Sequence, residues 1–248
     1  DLVNLTHPRP GDKNTEALSQ LMSGELKSTD TWESKLSAAG QQAETAEEKE
    51  ELKAGAWAEL IITRKIGYFA LLRNLRNIIE QAPALTDAAC SLLVDEKLIE
   101  KSLVLPFRFQ TAIKEIEKLS ASEARKVIVA LNKACDISCK NVPKFDGKTL
   151  VVLDESGSMG GQPWDIGSLF ASVLVKANPD ADLMLFGDKA RYVQFNPNDS
   201  VLTIAKSLQM HPQGTDFHVI LKAAKKGYAR IIILSDMQGW VGYNAPTA

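Results

Sequence analysis

Thr149-Leu150-Val151-Val152-Leu153-Asp154-Glu155-Ser156-Gly157-Ser158 is the stretch that decides how this chain folds. Its first five residues are apolar or β-branched, the pattern of a strand buried on both faces. The loop that follows sets one carboxylate and two hydroxyls at i, i+2 and i+4. Oxygen donors of this type bind hard cations such as Mg²⁺. Two later segments repeat the chemistry: Gly214-Thr215-Asp216, and Ser235-Asp236 after Arg230-Ile231-Ile232-Ile233-Leu234. Open α/β sheets place their ligands at such strand ends. Asp154, Asp216 and Asp236 converging on one point would repel one another, which gives a physical reason to expect a cation among them.

D-x-S-x-S, a Thr in a Gly-Thr-Asp turn and an Asp closing an aliphatic strand together resemble the metal-ion-dependent adhesion site (MIDAS) of von Willebrand factor A domains. The resemblance covers the chain from about Lys148 onward. It implies that Ser156, Ser158 and Thr215 ligate the metal, with Asp154 and Asp236 holding it directly or through water. An open position would then accept an acidic group from a protein partner. Met237-Gln238-Gly239 after Asp236 departs from the Asp-Gly of many relatives, which bears on the loop's shape.

Outward from this motif, strand and helix patterns alternate. Strands are expected at Asp182–Phe186, near Arg191–Phe195 and at Arg230–Leu234. Helices are expected near Ile166–Lys176, Val201–Leu208 and Phe217–Lys225. Alternation of this kind argues for a mostly parallel, doubly wound, Rossmann-like sheet with helices on both faces. At least one more strand would complete an A domain, so the chain is expected to be a piece of a longer protein.

Residues 1–145 read as successive helices, and the composition break at 142–147 divides the chain into segments 1–145 and 146–248. One helix runs Asn14–Ser23 and stops at Gly24. A second is capped by Ser28, Thr29 or Asp30 and ended by Gly40. Thr45 and Glu48 form a capping box for a third that reaches about Arg64. Lys65–Gln81 carries Phe69, Leu72, Leu75 and Ile79 on one side and Arg73 and Arg76 on the other. Thr86–Val94 is short. Phe107–Lys118 and a long helix capped by Ser120 or Ser122 follow, ended by Pro143. The similar lengths suggest a helical-repeat, HEAT-like architecture.

This half resembles the TROVE module. The likeness lies in Leu5-Thr-His-Pro-Arg-Pro, in Phe69-Ala-Leu-Leu-Arg-Asn-Leu-Arg, and in Asp95-Glu-Lys-Leu-Ile-Glu-Lys-Ser ahead of Pro106-Phe107. TROVE followed by an A domain is the arrangement of the Ro autoantigen family. That resemblance implies a ring of helical repeats closed by the A domain. It also implies a non-enzymatic ribonucleoprotein component that binds small noncoding (Y) RNAs and the 3′ ends of misfolded RNAs. On physical grounds phosphates demand Lys or Arg and unpaired bases demand stacking surfaces. The candidates are His7 and Arg9 in a Pro-rich turn, and Arg64, Lys65, Arg73 and Arg76 on an exposed helix face. Lys101, Arg108, Lys140 and Lys144 are weaker ones.

The near-neutral net charge of −2 hides an asymmetry. Residues 1–60 hold six Lys or Arg against twelve Asp or Glu, and residues 97–148 hold eleven against six. Such blocks are most simply solvated helix faces. Three cysteines make no disulfide framework, so a reducing, cytoplasmic setting is expected, and no apolar run is long enough to span a membrane. Two other functions compete. One is a metal-dependent protein-interaction scaffold without RNA. The other is a hydrolase using His211 or His218, against which stands the all-oxygen donor set.

Overall fold

The computed structural model describes residues 9–25, 31–225, 227–241 and 245–246. They fall into two compact units, 1–56 and 57–248. The composition break at 142–147 therefore lies inside the second unit.

The first unit holds α1 (Thr15–Ser23), α2 (Trp32–Gln42) and the start of α3 (Ala46–Ile62). Gly24 ends α1 with φ 74°, a left-handed turn that glycine adopts without strain. The start expected for α2 lies outside the described residues; Thr31 caps it in a reciprocal pair with Ser34. Gly40 does not end α2, which runs two residues further. One interior glycine costs a helix only about 1 kcal/mol, too little to stop it. Ahead of α3, Thr45 Oγ1 accepts the Glu48 N–H at 3.1 Å, while the Glu48 carboxylate accepts the Glu44 N–H at 2.9 Å.

The second unit continues with α4 (Tyr68–Gln81), α5 (Thr86–Leu93), α6 (Glu96–Ser102), α7 (Phe107–Ile116) and α8 (Glu123–Ser138). Their shared core includes Trp57, Leu71, Leu75, Ile78, Leu93, Ile99, Phe109, Ile116 and Leu131, each at most 2% exposed. Side chains of this size contribute roughly 1.5–3 kcal/mol apiece when fully buried. The polar atoms inside are partnered. Trp57 Nε1 donates to Gln81 Oε1 at 2.9 Å, and Tyr68 OH donates to the Leu93 carbonyl at 2.7 Å. Ser122 does not cap α8 with its side chain; its hydroxyl bonds the Glu123 carboxylate at 2.7 Å.

Beyond them lies a four-stranded mixed sheet of β1 (Thr149–Asp154), β2 (Asp182–Phe186), β3 (Ala190–Val193) and β4 (Arg230–Leu234), in the order β3-β2-β1-β4. β1 is central and parallel to both β2 and β4, and β3 pairs antiparallel with β2. All six residues of β1 are buried. Helix α9 (Gln162–Ala177) covers the face bearing Val151, Leu153, Leu183 and Leu185. The opposite face, with Leu150, Val152, Met184 and Phe186, packs against Ile220 of α11 (His218–Ala223). A further helix, α10 (Val201–Ser207), lies against α9. The short pair β5 (Trp240–Val241) and β6 (Ala245–Pro246) follows β4.

Within this unit the helices and the sheet are tied by directed contacts. Asp136 Oδ1 of α8 accepts the Val201 N–H of α10 at 2.8 Å, and the Phe145 N–H donates to Asn178 Oδ1 at 2.8 Å. Phe107 of α7 stacks on Phe170 of α9, with ring centroids 5.5 Å apart and planes 16° from parallel.

Candidate metal centre and basic groove

β1 ends at Asp154, which pairs with Phe186 of β2 one residue beyond the last pairing with β4, Leu153 with Leu234. The carboxylate is fully buried and accepts two hydrogen bonds: Ser156 N–H to Oδ1 at 2.8 Å and Ser235 Oγ to Oδ2 at 2.6 Å. Ser235 thus joins the loop after β4 to the loop after β1. The hydroxyls of Ser156 and Ser158 are 3.2 Å apart. Between them the Gly157 N–H donates to the Gln213 carbonyl at 3.0 Å, which brings the segment leading to Thr215 against the same loop. Thr215 is buried.

Asp236 is half-buried and its Oδ1 accepts the Gln238 N–H at 3.2 Å. The turn around it is built by Met237, held at φ 62°, whose N–H donates to Ser235 Oγ at 2.9 Å. Beside this loop an open apolar groove of about 470 Å³ is lined by Met159, Ile166, Phe170 and Ile233 as well as Ser235 and Asp236.

The expected meeting of three carboxylates does not occur. Among the described residues no three His, Cys, Asp or Glu side chains gather as a metal-holding group. Asp216 instead accepts the His218 N–H at 2.9 Å and lies 3.1 Å from His218 Nδ1, at the start of α11. The backbone N–H of His218 holds the Asp216 carboxyl below the usual aspartate range. A local cap satisfies this carboxylate, so it needs no cation. The remaining donors are two carboxylates and three hydroxyls. Asp154 makes no ion pair among the described residues, and a buried carboxylate of this kind is costly without a positive partner. Donor chemistry and burial together fit a hard divalent cation.

Glu155, the unassigned middle residue of the motif, is the most heavily bonded carboxylate of the site. It is fully buried, and Arg191 grips it with Nη2–Oε2 at 2.8 Å and Nε–Oε1 at 3.3 Å. The His211 N–H adds a bond to Oε2 at 3.0 Å, and Gln213 Nε2 lies 3.4 Å from Oε1. No spacing rule links residue 155 to residue 191. The available signal is an Arg within a strand that lies a helical crossover and a hairpin further along the chain.

The RNA candidates separate. His7 lies outside the described residues. Arg9 is exposed in the turn before α1, where its carbonyl accepts from Asn14 Nδ2 at 3.2 Å. Arg64 and Lys65 do not share a helix face with Arg73 and Arg76, because they form the turn between α3 and α4. Arg64 sits there at φ 54°, paired with Asp95 at 3.0 Å.

Arg73 and Arg76 line a groove of about 280 Å³ between α4 and α7, together with Phe69, Leu72, Arg108 and Glu115. Phe69 is 43% exposed and stands with the arginines rather than in the core. Positions 69, 73 and 76 are i, i+4 and i+7, one face of a helix, which the assignment of Phe69 to the apolar stripe missed. Arg76 pairs with Glu80 at 3.0 Å, and the Arg108 guanidinium lies 5.4 Å from the centre of the Phe107 ring.

These features define a class of protein: a helical segment followed by a mixed sheet that carries a set of oxygen donors at its strand ends. Comparison with known proteins gives the family. The TROVE domain model matches residues 22–146, half of the chain, and the chain belongs to the TROVE family. It is 32% identical over 114 residues to telomerase protein component 1 of Mus musculus, a stretch that is 45% of this chain and 4% of that protein. Its fold is shared with the crystal structure of the Deinococcus radiodurans RO (RSR) protein, at 20% identity and a TM-score of 0.57. That likeness covers 98% of this chain and 58% of that one.

Proposed function

We propose that this chain is the RNA-binding part of a Ro-type, non-enzymatic ribonucleoprotein component. The observation that carries the reading is the groove between α4 and α7, where Arg73, Arg76 and Arg108 stand beside the exposed ring of Phe69. Guanidinium groups neutralise phosphates and stack on bases, and an exposed aromatic ring offers a platform to any unpaired base. Among the described residues the helices present no β-sheet aromatics or Gly-rich clamp, so recognition rests on backbone and shape rather than on sequence. Small noncoding, Y-like RNAs and the single-stranded 3′ ends of misfolded RNAs are the ligands of this chemistry. The buried, free thiols of Cys135 and Cys139 suit a reducing compartment such as the cytoplasm, and among the described residues no helix is long and apolar enough to cross a membrane.

Residues 146–248 supply a second function in this reading, as an A-like domain. Ser156, Ser158 and Thr215 would hold a divalent cation such as Mg²⁺, with Asp154 and Asp236 as its carboxylates. When bound, the cation supplies a positive centre that attracts an acidic group of a protein partner. The chain's own residues prepare that centre by burying Asp154 and by holding the Ser156 and Ser158 hydroxyls 3.2 Å apart. A purely metal-dependent interaction scaffold is the alternative, favoured by Asp154 being buried without an ion pair among the described residues.

The test is fluorescence anisotropy at low salt with a stem-loop RNA, with and without a single-stranded 3′ tail. Tail-dependent binding is expected, weakened by Phe69→Ala by the roughly 1–3 kcal/mol of one base–aromatic stack. Absence of binding to either RNA would leave the scaffold reading.

A further inference from the structure

Three loops must be held in register for Thr215 to share a site with Asp154. The loop after β1 is fixed by its own strand, but the segment 209–216 is irregular and needs an anchor. Glu155 provides one from inside the D-x-S-x-S motif. Its carboxylate receives the His211 N–H, and Gln213 Nε2 lies within hydrogen-bond reach. Arg191 of β3 closes the assembly from the other side, gripping both carboxylate oxygens and also donating to the Gln209 carbonyl at 2.8 Å. Two more bonds transmit the position onward. The Gln213 carbonyl accepts the Gly157 N–H at 3.0 Å, and the Asp216 N–H donates to the Gly187 carbonyl at 3.0 Å. Residues on either side of Thr215 are therefore fixed to the hairpin β2–β3 and to the serine loop.

We propose that Glu155, clamped by Arg191, is the positioning residue that carries Thr215 to the Asp154–Ser158 loop and so sets the site's affinity for a divalent cation. The inference rests on the metal-site reading above. An Arg fork suits the role because its planar donors match both carboxylate oxygens at once, which a Lys cannot do. Residues that orient metal ligands without touching the metal commonly change affinity 10–100-fold when removed.

The experiment is calorimetric titration of the metal-free chain with Mn²⁺, in the wild type and in Arg191→Met, Glu155→Gln and Lys126→Met. The last variant removes an exposed ion pair with Asp87 that joins two helices, α5 and α8, and none of the candidate metal-site residues. Arg191→Met and Glu155→Gln are expected to weaken Mn²⁺ binding about 10–100-fold, and Lys126→Met to leave it unchanged. Arg191→Lys should recover part of the loss. Melting temperatures recorded alongside separate the roles: a group that only stabilises the fold lowers the melting temperature and leaves the folded protein's dissociation constant alone. Wild type without Mn²⁺ binding overturns the metal site and this inference with it. Wild type and both clamp variants binding equally well overturns the clamp alone. Should the variants fail to fold, hydrogen exchange in the metal-free wild type decides. Protected His211 and Asp216 amides are expected, and exchange at free-peptide rates would overturn the proposal.

Discussion

Gly187 and Gly157 both lie in loops of the candidate metal centre, yet the same substitution should act on them very differently. A Cβ at Gly187 would meet Gln213 Cγ at 2.5 Å, Gln213 Cδ at 2.9 Å and the Gly214 carbonyl oxygen at 2.9 Å. The Gln213 side chain can swing aside, but the Gly214 carbonyl is backbone and must move with its chain. That chain carries Thr215, and the next N–H along it, that of Asp216, is bonded to Gly187 itself. Gly187→Ala should therefore cost the roughly 1–3 kcal/mol typical of overpacking. Because the displaced segment carries Thr215, a donor of the proposed metal site, Mn²⁺ affinity should fall at least tenfold, about 1.4 kcal/mol of binding free energy. At Gly157 an added Cβ meets nothing within 4 Å, and the N–H that donates to Gln213 is kept. Gly157→Ala should stay within about 0.5 kcal/mol of wild type, like an ordinary surface change. Urea unfolding reads the stabilities, with an unchanged slope showing that only stability moved. Calorimetry with Mn²⁺ reads the site. Equal losses in the two variants, or no loss in Gly187→Ala, would refute the idea that the 213–215 segment is wedged against the β2–β3 hairpin.

Two further outcomes follow from the same geometry. Burial pushes the Cys139 thiol up to about 12 and the Cys135 thiol upward as well, so neither ionises near neutral pH. In the native chain at pH 8, mass spectrometry after brief alkylation should find label on the partly exposed Cys90 before either of them, and all three should react once the chain is unfolded. The Asp216 carboxyl is held low chiefly by the His218 backbone N–H, so the bond stabilises the fold at neutral pH. Its contribution is lost on acidification, as pH falls from the ordinary aspartate range through the depressed folded value. Carboxyl-resolved NMR titration should place Asp216 below the usual aspartate value, and a normal value would contradict the cap.

Where the chain could be read in advance, hydrophobic periodicity was the reason. The strands Asp182–Phe186 and Arg230–Leu234 stand where the apolar runs placed them, and β1 is one residue longer than its apolar run. Helix α6 was missed because it is short and buries a single residue, Ile99, leaving no periodic stripe to detect. Its start was nevertheless written in Asp95, whose carboxylate accepts the Leu98 N–H at 3.2 Å. Phe69 was misplaced because an aromatic residue in a helix is ordinarily core, and only the angular position it shares with Arg73 and Arg76 shows otherwise. At the candidate site, the closeness of Asp154, Ser156 and Ser158 is legible from local spacing. The hold of Arg191 on Glu155 was not, since it joins residues distant in sequence through the β2–β3 hairpin. Asp216 illustrates the opposite error. It has the right chemistry for a ligand, but a helix start two residues away offers it a nearer partner.

The most direct test of the account is the salt dependence of single-stranded RNA binding. The logarithm of affinity should fall linearly with the logarithm of salt concentration, with a slope of about 0.7 per phosphate neutralised on a single strand. Removing the three groove arginines in Arg73→Ala/Arg76→Ala/Arg108→Ala should make that slope shallower by about 2 and weaken binding at low salt. A slope identical to that of the wild type, or a wild-type chain that fails to bind RNA at low salt, would contradict the account.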